Sequence, residues 1–600
     1  MLWRDSLNLS SKEGGEHFGH KLIKGIFPGE GGVGGEPGGV WREFGAAFSL
    51  ISSTQKNDDR GEGKKVSPQE GKGKIVGKMI ARMVLGTGSG VGKSLVVAGM
   101  CRFAARLGVR VVPFKSQNMS NNSAVLSGGG EIARAQALQA RACRVPPVAA
   151  MNPLLLKPMG EGRSQVIFMG QPLGVYTIAG YRELKRELFP RVAEIFSELA
   201  SGYDLVILEG AGSPAEINLL SEDIANTRIA RAVGAPALLL GDIEPGGVFA
   251  ALYGTLALLP PEDRDVIRWL AINKFRGDAS LLGPGMDRIS HLTGRPFLGV
   301  IPHLGDLSLP DEDSFRPRTS GVSSPDDLRI VVFEWPHLSN RSDLDPFLFD
   351  RGVDLSFLPL SGPAPPLEGP GRPDAVVLPG TRQTISDLES LYRSPLHSWL
   401  QAYRRSGGAI VGICGGYQMM GSQIRDPLGV ESSRSEISGL GFFSHQVLFR
   451  EEKIARPVLA RFRRPPFRGG QSHVDRALLG YEIRQGRSEG EDPREALFDL
   501  LDPGDGRFLE AEGRSDPDGR IFGSPVHGLF DDTDFRRAFY GLLRRGGIPD
   551  ACLSESSREI DRALDRVADL LAREIDLEAF LFKEPPRPLP GGVSGDPFGG

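Results

Sequence analysis

The feature that most constrains the fold is an alternation of short apolar runs with amphipathic stretches of helical length, starting near Met79. Each run is bounded by glycine, proline or charged residues. Continuous apolar runs of this length are typical of strands buried on both faces of a parallel sheet, so the pattern predicts an α/β fold. The runs form two series. The first is RMVLG, VRVVPF, YDLVILEG, APALLLGD and RWLAINKF, and the second is RIVVFEW, VDLSFLPL, DAVVLPG, GAIVGICGG and RIFGSPVHG.

Two series of strands indicate two domains. The chain has 600 residues, more than one hydrophobic core usually organises. We predict a first domain at residues 77–310, a polar linker at 311–327 and a second domain at 328–585. The segment 1–76, rich in Gly, Lys, Glu and Ser, buries too little apolar surface to offset its ordering entropy, so we expect it to be disordered. Residues 586–600 are predicted to form a flexible tail.

A helix is predicted near the end of the second domain. Its apolar residues recur at helical spacing and would form one buried face. We expect this helix to cap the second domain. The residues are Ile560, Leu564, Val567, Leu571 and Ile575.

Composition excludes several classes of protein. A net charge of −4 gives no electrostatic case for nucleic-acid binding. No apolar run reaches the roughly 18–20 residues needed to span a bilayer, and the start lacks the apolar core of a secretory signal. The four cysteines are scattered without metal-ligand spacing, which suggests neither a zinc site nor a disulfide framework. We expect a cytoplasmic protein.

A glycine-rich loop, GTGSGVGKS, joins the first strand to a helix that Gly108 should end. Backbone N–H groups of such a loop and the helix N-terminus favour a bound phosphate. Lys93 would contact the terminal phosphates and the Ser94 hydroxyl would ligate Mg²⁺. The alternative is a glycine-rich turn that binds nothing. The predicted nucleotide-binding residues are Gly86, Thr87, Gly92, Lys93, Ser94 and Asn273, the last following the strand WLAI.

Charged side chains follow two further strands of the first series. Glu209 ends YDLVILEG, and Lys115 follows VRVVPF. The carboxyl ends of parallel strands meet at the edge where ligands bind, so Glu209 is a candidate Mg²⁺ ligand and Lys115 a candidate bridge between phosphate and substrate. A solvated acid at the end of a strand is the alternative for Glu209.

The segment after Lys115 is dense in amide and hydroxyl groups. Its sequence, QNMSNNS, suits a polar substrate with many carboxylates or amides, and we select Gln117, Asn118 and Asn122 as substrate-binding candidates. Clusters of Asn and Ser are equally often turns.

In the second series, Cys414 stands between a strand and a helical stretch, with glycines on its far side. This is the pattern of a nucleophile elbow, in which a tight turn lifts the side chain to the edge of the sheet. A helix N-terminus would favour the thiolate. The N–H of Gly415 is a candidate oxyanion donor, and the turn containing Gly380 is a candidate source of a second. The alternative is a buried structural cysteine.

His527, at the end of another strand, is the best candidate base for Cys414 among the nine histidines. Residue 529 is a leucine, so the acid of a triad is absent two residues further on. The sequence therefore predicts a Cys/His dyad. Taken alone, His527 would more often be structural.

Together these motifs resemble the cobyric acid synthase family, over about residues 83–540 in family order. The matching stretches include PFKSQNMSNNS, MNPLLLKP, LEGAGSPAEINL, INKFRGD, LPGTRQTISDL, GICGGYQMMG and VHGLFDDTDFRRAF. The resemblance implies a P-loop domain of the dethiobiotin synthetase type followed by a class I glutamine amidotransferase-like domain. It further implies ATP and Mg²⁺ at the first, glutamine at the second, and a corrinoid substrate, adenosylcobyrinic acid a,c-diamide, amidated at its b, d, e and g carboxylates.

Two positions depart from the family pattern. Gly90 stands where the family usually has an acid in the phosphate loop, which puts a Mg²⁺ contact in doubt. Glu244-Pro245 replaces a typical Asp-Arg pair, so that a cationic substrate contact is lost or comes from Arg276. The N-terminal extension is also not a family feature.

Two rival functions stay open. Cobyrinic acid a,c-diamide synthase has the same domains and chemistry but other target carboxylates. A P-loop switch ATPase of the partitioning type, with a non-catalytic second domain, would not need Cys414.

Overall fold

The computed structural model describes residues 79–587, except 161, 306–323, 325, 468–475, 490–492 and 545–546. The predicted disordered extension and most of the predicted linker and tail lie outside the described residues.

The first domain contains β1–β12. Their bounds are β1 Ile80–Gly86, β2 Val111–Phe114, β3 Gln117–Met119, β4 Ser123–Val125, β5 Glu131–Ala133, β6 Leu154–Gly160, β7 Arg163–Phe168, β8 Gln171–Thr177, β9 Leu205–Glu209, β10 Ala237–Asp242, β11 Ile267–Phe275 and β12 Phe297–Pro302. Its helices are α1 Lys93–Arg106, α2 Arg134–Ala142, α3 Ile178–Ala200, α4 Thr227–Val233, α5 Val248–Leu258, α6 Pro261–Arg264 and α7 Gly283–Thr293.

Six of these strands form a parallel sheet in the order β12-β11-β10-β1-β9-β2. All five predicted runs of the first series lie in it. Successive residues of β1 face opposite cores: Met83 and Leu85 pack on one side and Val84 on the other. Burial on both faces explains the continuous apolar runs.

The sequence analysis missed two smaller sheets. One has the order β3-β6-β7-β8, and the other pairs β4 with β5. Three of these strands are only three residues long, and β6, β7 and β8 combine short apolar stretches with Gly, Pro or polar residues. A search for longer continuous apolar runs therefore could not find them.

The second domain contains β13–β24. Their bounds are β13 Leu328–Glu334, β14 Val353–Pro359, β15 Ala375–Leu378, β16 Ala409–Ile413, β17 Gln423–Arg425, β18 Glu436–Ser438, β19 Gln446–Phe462, β20 Ala477–Glu489, β21 Phe498–Leu501, β22 Phe508–Glu512, β23 Arg514–Ser515 and β24 Ile521–Ser524. The remaining helices are α8 Asp345–Phe349, α9 Thr384–Arg393, α10 Pro395–Arg405, α11 Gly415–Met419, α12 Thr533–Leu543, α13 Ser556–Glu574 and α14 Leu577–Phe582.

The main sheet of this domain has the order β14-β13-β15-β16-β24-β23, and its pairs are parallel except β23 with β24. It contains every predicted run of the second series. A second, largely antiparallel sheet of β17–β22 was not predicted. Its long strands β19 and β20 include many charged residues, which hides them from a search for apolar runs.

The predicted terminal helix exists as α13, but its predicted packing partner was wrong. Val567 and Leu571 lie in the core of the first domain, against α1. The approach is close: a Cβ at Gly99 would lie 2.6 Å from side-chain atoms of both residues. Arg102 adds an ion pair with Asp565 at 2.8 Å. The chain therefore returns to its first domain at its end.

None of the helices in the described ranges combines the length and apolar content that crossing a bilayer requires.

Candidate active sites

The glycine-rich loop follows β1 and leads into α1, as predicted. Gly90 and Gly92 have positive φ values of 71° and 94°, which glycine adopts without strain. A Cβ on Gly92 would also lie 2.3 Å from Nδ2 of Asn273, the atom that donates to the carbonyl of Val91 at 2.7 Å. Asn273 thus stabilises the loop, and its contact with a nucleotide stays a prediction.

Lys93 is buried beneath this loop. Its Nζ donates to the carbonyls of Gly88 and Gly212, at 2.8 and 3.0 Å. Burial lowers the pKa of Lys93 to about 8, against the opposing effect of Glu209. A buried ammonium held by neutral carbonyls is poised for an anionic ligand.

Glu209 lies at the centre of this site. Its Oε1 accepts from Ser94 Oγ and from Lys115 Nζ, each at 2.7 Å, and its Oε2 accepts from Gln139 at 2.6 Å. Burial would raise the pKa of Glu209, but Lys115 and the hydrogen bonds outweigh it and lower that pKa. Because only 1% of Glu209 is exposed, the alternative of a solvated strand-end acid is wrong.

The side chains of Gln117, Asn118 and Asn122 each form a hydrogen bond with a different partner. Gln117 accepts from the hydroxyl of Tyr181 at 2.6 Å, and Asn118 donates to Gln136 at 3.0 Å. Asn122 accepts from the backbone N–H of Asn340, in the second domain, at 3.1 Å. The segment therefore connects the phosphate site to the neighbouring domain, and substrate contacts by its residues stay predictions.

The surroundings of the two positions that depart from the family pattern are open or paired. A Cβ at Gly90 would meet nothing within 4 Å, so space alone does not explain the glycine. Arg276 pairs with Glu244 at 3.1 Å, and its side chain is 59% exposed. A contact of Arg276 with the substrate stays a prediction.

Cys414 occupies a nucleophile elbow between β16 and α11. Its φ of 49° and ψ of −107° are strained for a residue with a side chain. The elbow needs glycine beside it, because a Cβ at Gly416 would lie 1.9 Å from the carbonyl oxygen of Leu378. Cys414 is 7% exposed and lines a pocket, which favours the nucleophile over the structural cysteine.

His527 lies beside the elbow at the end of β24. The pairing of Ile413 with Ser524 brings the two strand ends together, and the N–H of Cys414 donates to the carbonyl of Ser524 at 2.8 Å. The ring stacks on Tyr481 at a centroid separation of 5.0 Å.

The predicted dyad is wrong, because His527 has an acidic partner. Its Nδ1 lies 2.7 Å from Oδ2 of Asp343, and the other oxygen of Asp343 accepts from the N–H of Gly528 at 2.8 Å. Burial alone would lower the pKa of His527, but Asp343 and then Cys414 outweigh it and raise that pKa. Asp343, from the turn Arg341–Leu344, therefore stands to His527 as the acid of a triad would, while the thiol of Cys414 donates to the carbonyl of Ile483 at 3.6 Å. The catalytic roles of the three side chains stay predictions.

The two predicted oxyanion donors flank this triad. A Cβ at Gly415 would lie 3.0 Å from the backbone nitrogen of Thr381, and a Cβ at Gly380 would lie 3.4 Å from the ring of His527. The turn after β15 therefore abuts the elbow, as the prediction requires. The role of these N–H groups stays a prediction.

The pocket beside Cys414 is lined by both domains. Asn121, Lys157 and Met159 come from the first domain, and Arg382 and Glu431 come from the second. The sequence analysis did not select these residues, since none lies in a motif of the phosphate loop or the elbow.

Two charged groups in this pocket have no opposite charge bound to them among the described residues. Nε of Arg382 is buried without a hydrogen-bond partner, and its Nη2 donates to the neutral Gln165 at 3.0 Å. The carboxyl group of Glu431 accepts the backbone N–H groups of Thr384 and Ile385 and also interacts with the side chain of Thr384. Burial raises the pKa of Glu431 to about 8.

Comparison with known proteins decides the family. The chain matches the CobQ/CobB/MinD/ParA nucleotide binding domain at residues 82–314 and the CobB/CobQ-like glutamine amidotransferase domain at residues 329–535. It is 42% identical over 510 residues to the cobyric acid synthase of Sorangium cellulosum, covering 82% of this chain and 96% of that protein. The chain belongs to the cobyric acid synthase family.

Other members of the cobyric acid synthase family give the same result. The Desulforudis audaxviator protein is 44% identical, covering 83% of this chain and 97% of its own, and the probable cobyric acid synthase of Thermococcus kodakarensis is 41% identical, covering 83% and 98%. The predicted family, fold class and enzyme class, an amide-forming ligase with a glutamine amidotransferase domain, are confirmed. Among solved structures, the signal recognition particle receptor FtsY of Elizabethkingia anophelis is 19% identical with a TM-score of 0.23 and covers 37% of this chain and 58% of its own, a likeness too slight to support any inference.

Proposed function

We propose that this chain uses ATP and glutamine to amidate the b, d, e and g carboxylates of adenosylcobyrinic acid a,c-diamide, which yields adenosylcobyric acid. One observation supports this most directly. The pocket at the triad cysteine is closed by residues of the same domain that carries the phosphate loop. Ammonia released at Cys414 would therefore arise beside the domain that activates its acceptor.

The first domain would activate the carboxylate. The backbone of the glycine loop and Lys93 would hold the phosphates, and the oxygen atoms of Ser94 and Glu209 fit Mg²⁺, which prefers such ligands. A bound Mg²⁺ would offset the charge of the phosphates during transfer. A substrate carboxylate would attack the terminal phosphorus, the bond to the bridging oxygen would break, and ADP would leave behind an acyl phosphate. Ammonia would then displace phosphate and leave the amide.

The second domain would supply the ammonia. His527 would accept the thiol proton of Cys414, while Asp343 holds the imidazole in the required tautomer. The sulfur would attack the side-chain amide of glutamine, and the N–H groups of Gly380 and Gly415 would donate to the oxyanion. Collapse would release ammonia, to which His527 returns its proton, and water would hydrolyse the thioester to glutamate.

Two ionisable side chains beside Cys414 that form no ion pair at contact distance among the described residues support glutamine as the ammonia donor. A free α-amino acid carries one carboxylate and one ammonium close together. Arg382 suits the first group and Glu431 the second, and both line the pocket of the nucleophile. The ligand would thus bring an opposite charge to two buried groups that have only neutral hydrogen-bond partners at contact distance.

The setting we propose is the reducing cytoplasm. All four cysteines are free thiols, which agrees with that compartment.

One assay separates this proposal from both rivals. The enzyme is given ATP, Mg²⁺ and glutamine with cobyrinic a,c-diamide in one reaction and with cobyrinic acid in a parallel one, and added amides are measured by mass. Amidation at all the b, d, e and g positions supports the proposal. Amidation of cobyrinic acid at a and c alone supports cobyrinic acid a,c-diamide synthase, and ATP hydrolysis without glutamate release supports a switch ATPase.

The Cys414→Ala variant tests the source of ammonia. We expect it to lose activity with glutamine and to keep activity with added ammonium salts, because the first domain is intact. Glutamine-dependent activity that survives this change would refute the role of Cys414.

A further inference from the structure

The turn after β15 is fixed against a neighbouring segment of the second domain. The carbonyl of Gly380 accepts from the N–H of Ser339 at 3.1 Å, and the N–H of Arg382 donates to the carbonyl of His337 at 2.9 Å. Thr381 lies between these two bonds in an antiparallel bridge. In a pair flanked in this way the N–H groups of the paired residues point outward, so the N–H of Thr381 is directed away from that segment.

Thr381 also contacts the elbow of the nucleophile. Its backbone nitrogen would lie 3.0 Å from a Cβ at Gly415, the residue that follows Cys414. Thr381 and Cys414 line the same pocket. The N–H of Thr381 is thus available beside that of Gly415, where an oxyanion would form, and the sequence analysis did not select it.

The side chain of Thr381 is anchored to a buried acid. Its hydroxyl donates to Oδ2 of Asp387 and accepts from the N–H of Gln383 at 3.0 Å. The carbonyl of His337 lies 3.2 Å from the same hydroxyl oxygen. The single hydroxyl proton goes to the carboxylate, because a charged acceptor forms the stronger hydrogen bond.

Asp387 connects this hydroxyl to the segment that holds the turn. It stands in the first turn of α9 and is 0% exposed. Its Oδ1 lies 2.8 Å from Nδ1 of His337, and this hydrogen bond raises the pKa of His337. A buried carboxylate is costly unless its oxygens are bonded. Both oxygens of Asp387 are bonded, one to the turn beside the elbow and the other to the segment with which that turn pairs.

We propose that Asp387 is a positioning residue for glutamine hydrolysis. It holds the hydroxyl of Thr381, and thereby directs the N–H of Thr381 at the oxyanion that forms when the sulfur of Cys414 attacks the amide carbon. The carbonyl re-forms when ammonia leaves, and the hydrogen bond from Thr381 weakens again. This inference rests on the proposed glutaminase activity and moves one of its oxyanion donors from Gly380 to Thr381.

The test uses Thr381→Val in the full chain, which keeps the shape of the side chain and removes its hydroxyl. An oxyanion donor acts on the transition state and much less on bound glutamine. We therefore expect kcat for glutamate release to fall about 10- to 100-fold while the KM for glutamine stays within about twofold. Thr381→Ser restores the hydroxyl and should recover kcat to within about threefold of the wild type.

Asp387→Asn is a second variant, and it keeps the shape of the acid. An amide oxygen accepts more weakly than a carboxylate, so we expect a smaller fall in kcat, about three- to tenfold. The matched control is Ser390→Ala, on the same helix. The hydroxyl of Ser390 donates to the carbonyl of Ser386 at 2.9 Å, and its loss should change neither kcat nor KM.

A mimic of the tetrahedral intermediate separates the oxyanion from the nucleophile. Glutamate γ-semialdehyde adds to the thiol of Cys414: a carbon–sulfur bond forms, and the aldehyde oxygen takes the thiol proton at the position of the oxyanion. Its inhibition constant should rise about tenfold or more in Thr381→Val. The rate at which iodoacetamide alkylates Cys414 should equal that of the wild type, because the thiol and His527 are unchanged.

The outcomes are distinguishable. Unchanged kcat and unchanged semialdehyde inhibition in Thr381→Val overturn the inference, and so does a serine variant that does not recover. If Thr381→Val also lost alkylation of Cys414, Asp387→Asn decides, and a wild-type kcat in that variant overturns the inference. Absence of glutamate release from the wild type with all substrates would instead contradict the proposed function.

Discussion

At the scale of single residues, the sequence did not predict Asp343 as the acidic partner of His527. Cys414 and His527 could be selected because each has a local pattern, a glycine-flanked turn and a strand end. Asp343 precedes its histidine by 184 residues and stands in a short turn with no motif of its own. Only the tertiary fold brings that carboxylate to the imidazole, so spacing in the chain could not identify it.

The Asp343→Asn variant should show what the acid contributes. Asparagine keeps the shape but stabilises neither the required tautomer nor the imidazolium, so we expect glutamine-dependent turnover to fall about 10²–10⁴-fold. Activity with added ammonia serves as the internal control and should persist. A decrease of less than tenfold would restore the dyad interpretation.

Glu431 should make glutamine binding depend on pH. Burial raises its pKa to about 8, so below that pH the carboxyl is mostly neutral and attracts an ammonium poorly. As pH rises through that value the charge appears, and the KM for glutamine should fall between about pH 6.5 and pH 8.5. In Glu431→Gln the KM should be higher at pH 8.5 and nearly constant over that range. A wild-type KM that does not change would exclude this role.

At the scale of elements, the parallel strands were predictable and the antiparallel ones were not. Every predicted run lies in one of the two main sheets, because burial on both faces leaves a continuous apolar signature. Strands β19 and β20 have a polar face with charged pairs such as Arg484–Glu482 at 2.7 Å, so their signature is mixed. Ile483 and Arg484 of β20 line the pocket of Cys414, and the sequence analysis could not predict this part of the lining.

The elbow should tolerate no side chain at Gly416. In Gly416→Ala the new methyl group would lie 1.9 Å from a backbone oxygen, so the turn must shift and with it Cys414. We expect loss of glutamine-dependent activity and a lower free energy of unfolding by about 1–3 kcal/mol, measured by urea denaturation.

Gly541→Ala is the matched control for this change. Gly541 lies in α12 of the same domain, and a methyl group there meets nothing within 4 Å. This variant should keep both activity and stability. Full glutamine-dependent turnover in Gly416→Ala would contradict the geometry of the elbow.

At the scale of the whole molecule, the helix α13 packs against the first domain although it follows the second in the chain. The helical spacing of its apolar residues predicted the helix. A periodic apolar face does not specify what covers it, however, and adjacency in sequence suggested the second domain. The observed partner is the helix that follows the phosphate loop, with Leu571 fully buried against it. Stability of the nucleotide site should thus depend on residues near the C-terminus.

Leu571→Ala tests that dependence. Loss of a buried leucine should lower the free energy of unfolding by about 2–5 kcal/mol and weaken nucleotide binding, measured by thermal denaturation with and without ATP. Arg566→Ala, at an exposed position of the same helix, is the control and should change neither quantity. If Leu571→Ala destabilised only the second domain, the observed packing would be wrong.

The return of α13 to the first domain has a consequence for biosynthesis. A ribosome completes α1 hundreds of residues before it completes the helix that covers it, which at about 5–20 residues per second leaves that apolar surface open for tens of seconds. We expect nascent chains stalled before Ser556 to recruit chaperones at this surface, and chains released after Phe582 to lose them. For this enzyme, a helix translated early in the first domain is among the last elements to be covered.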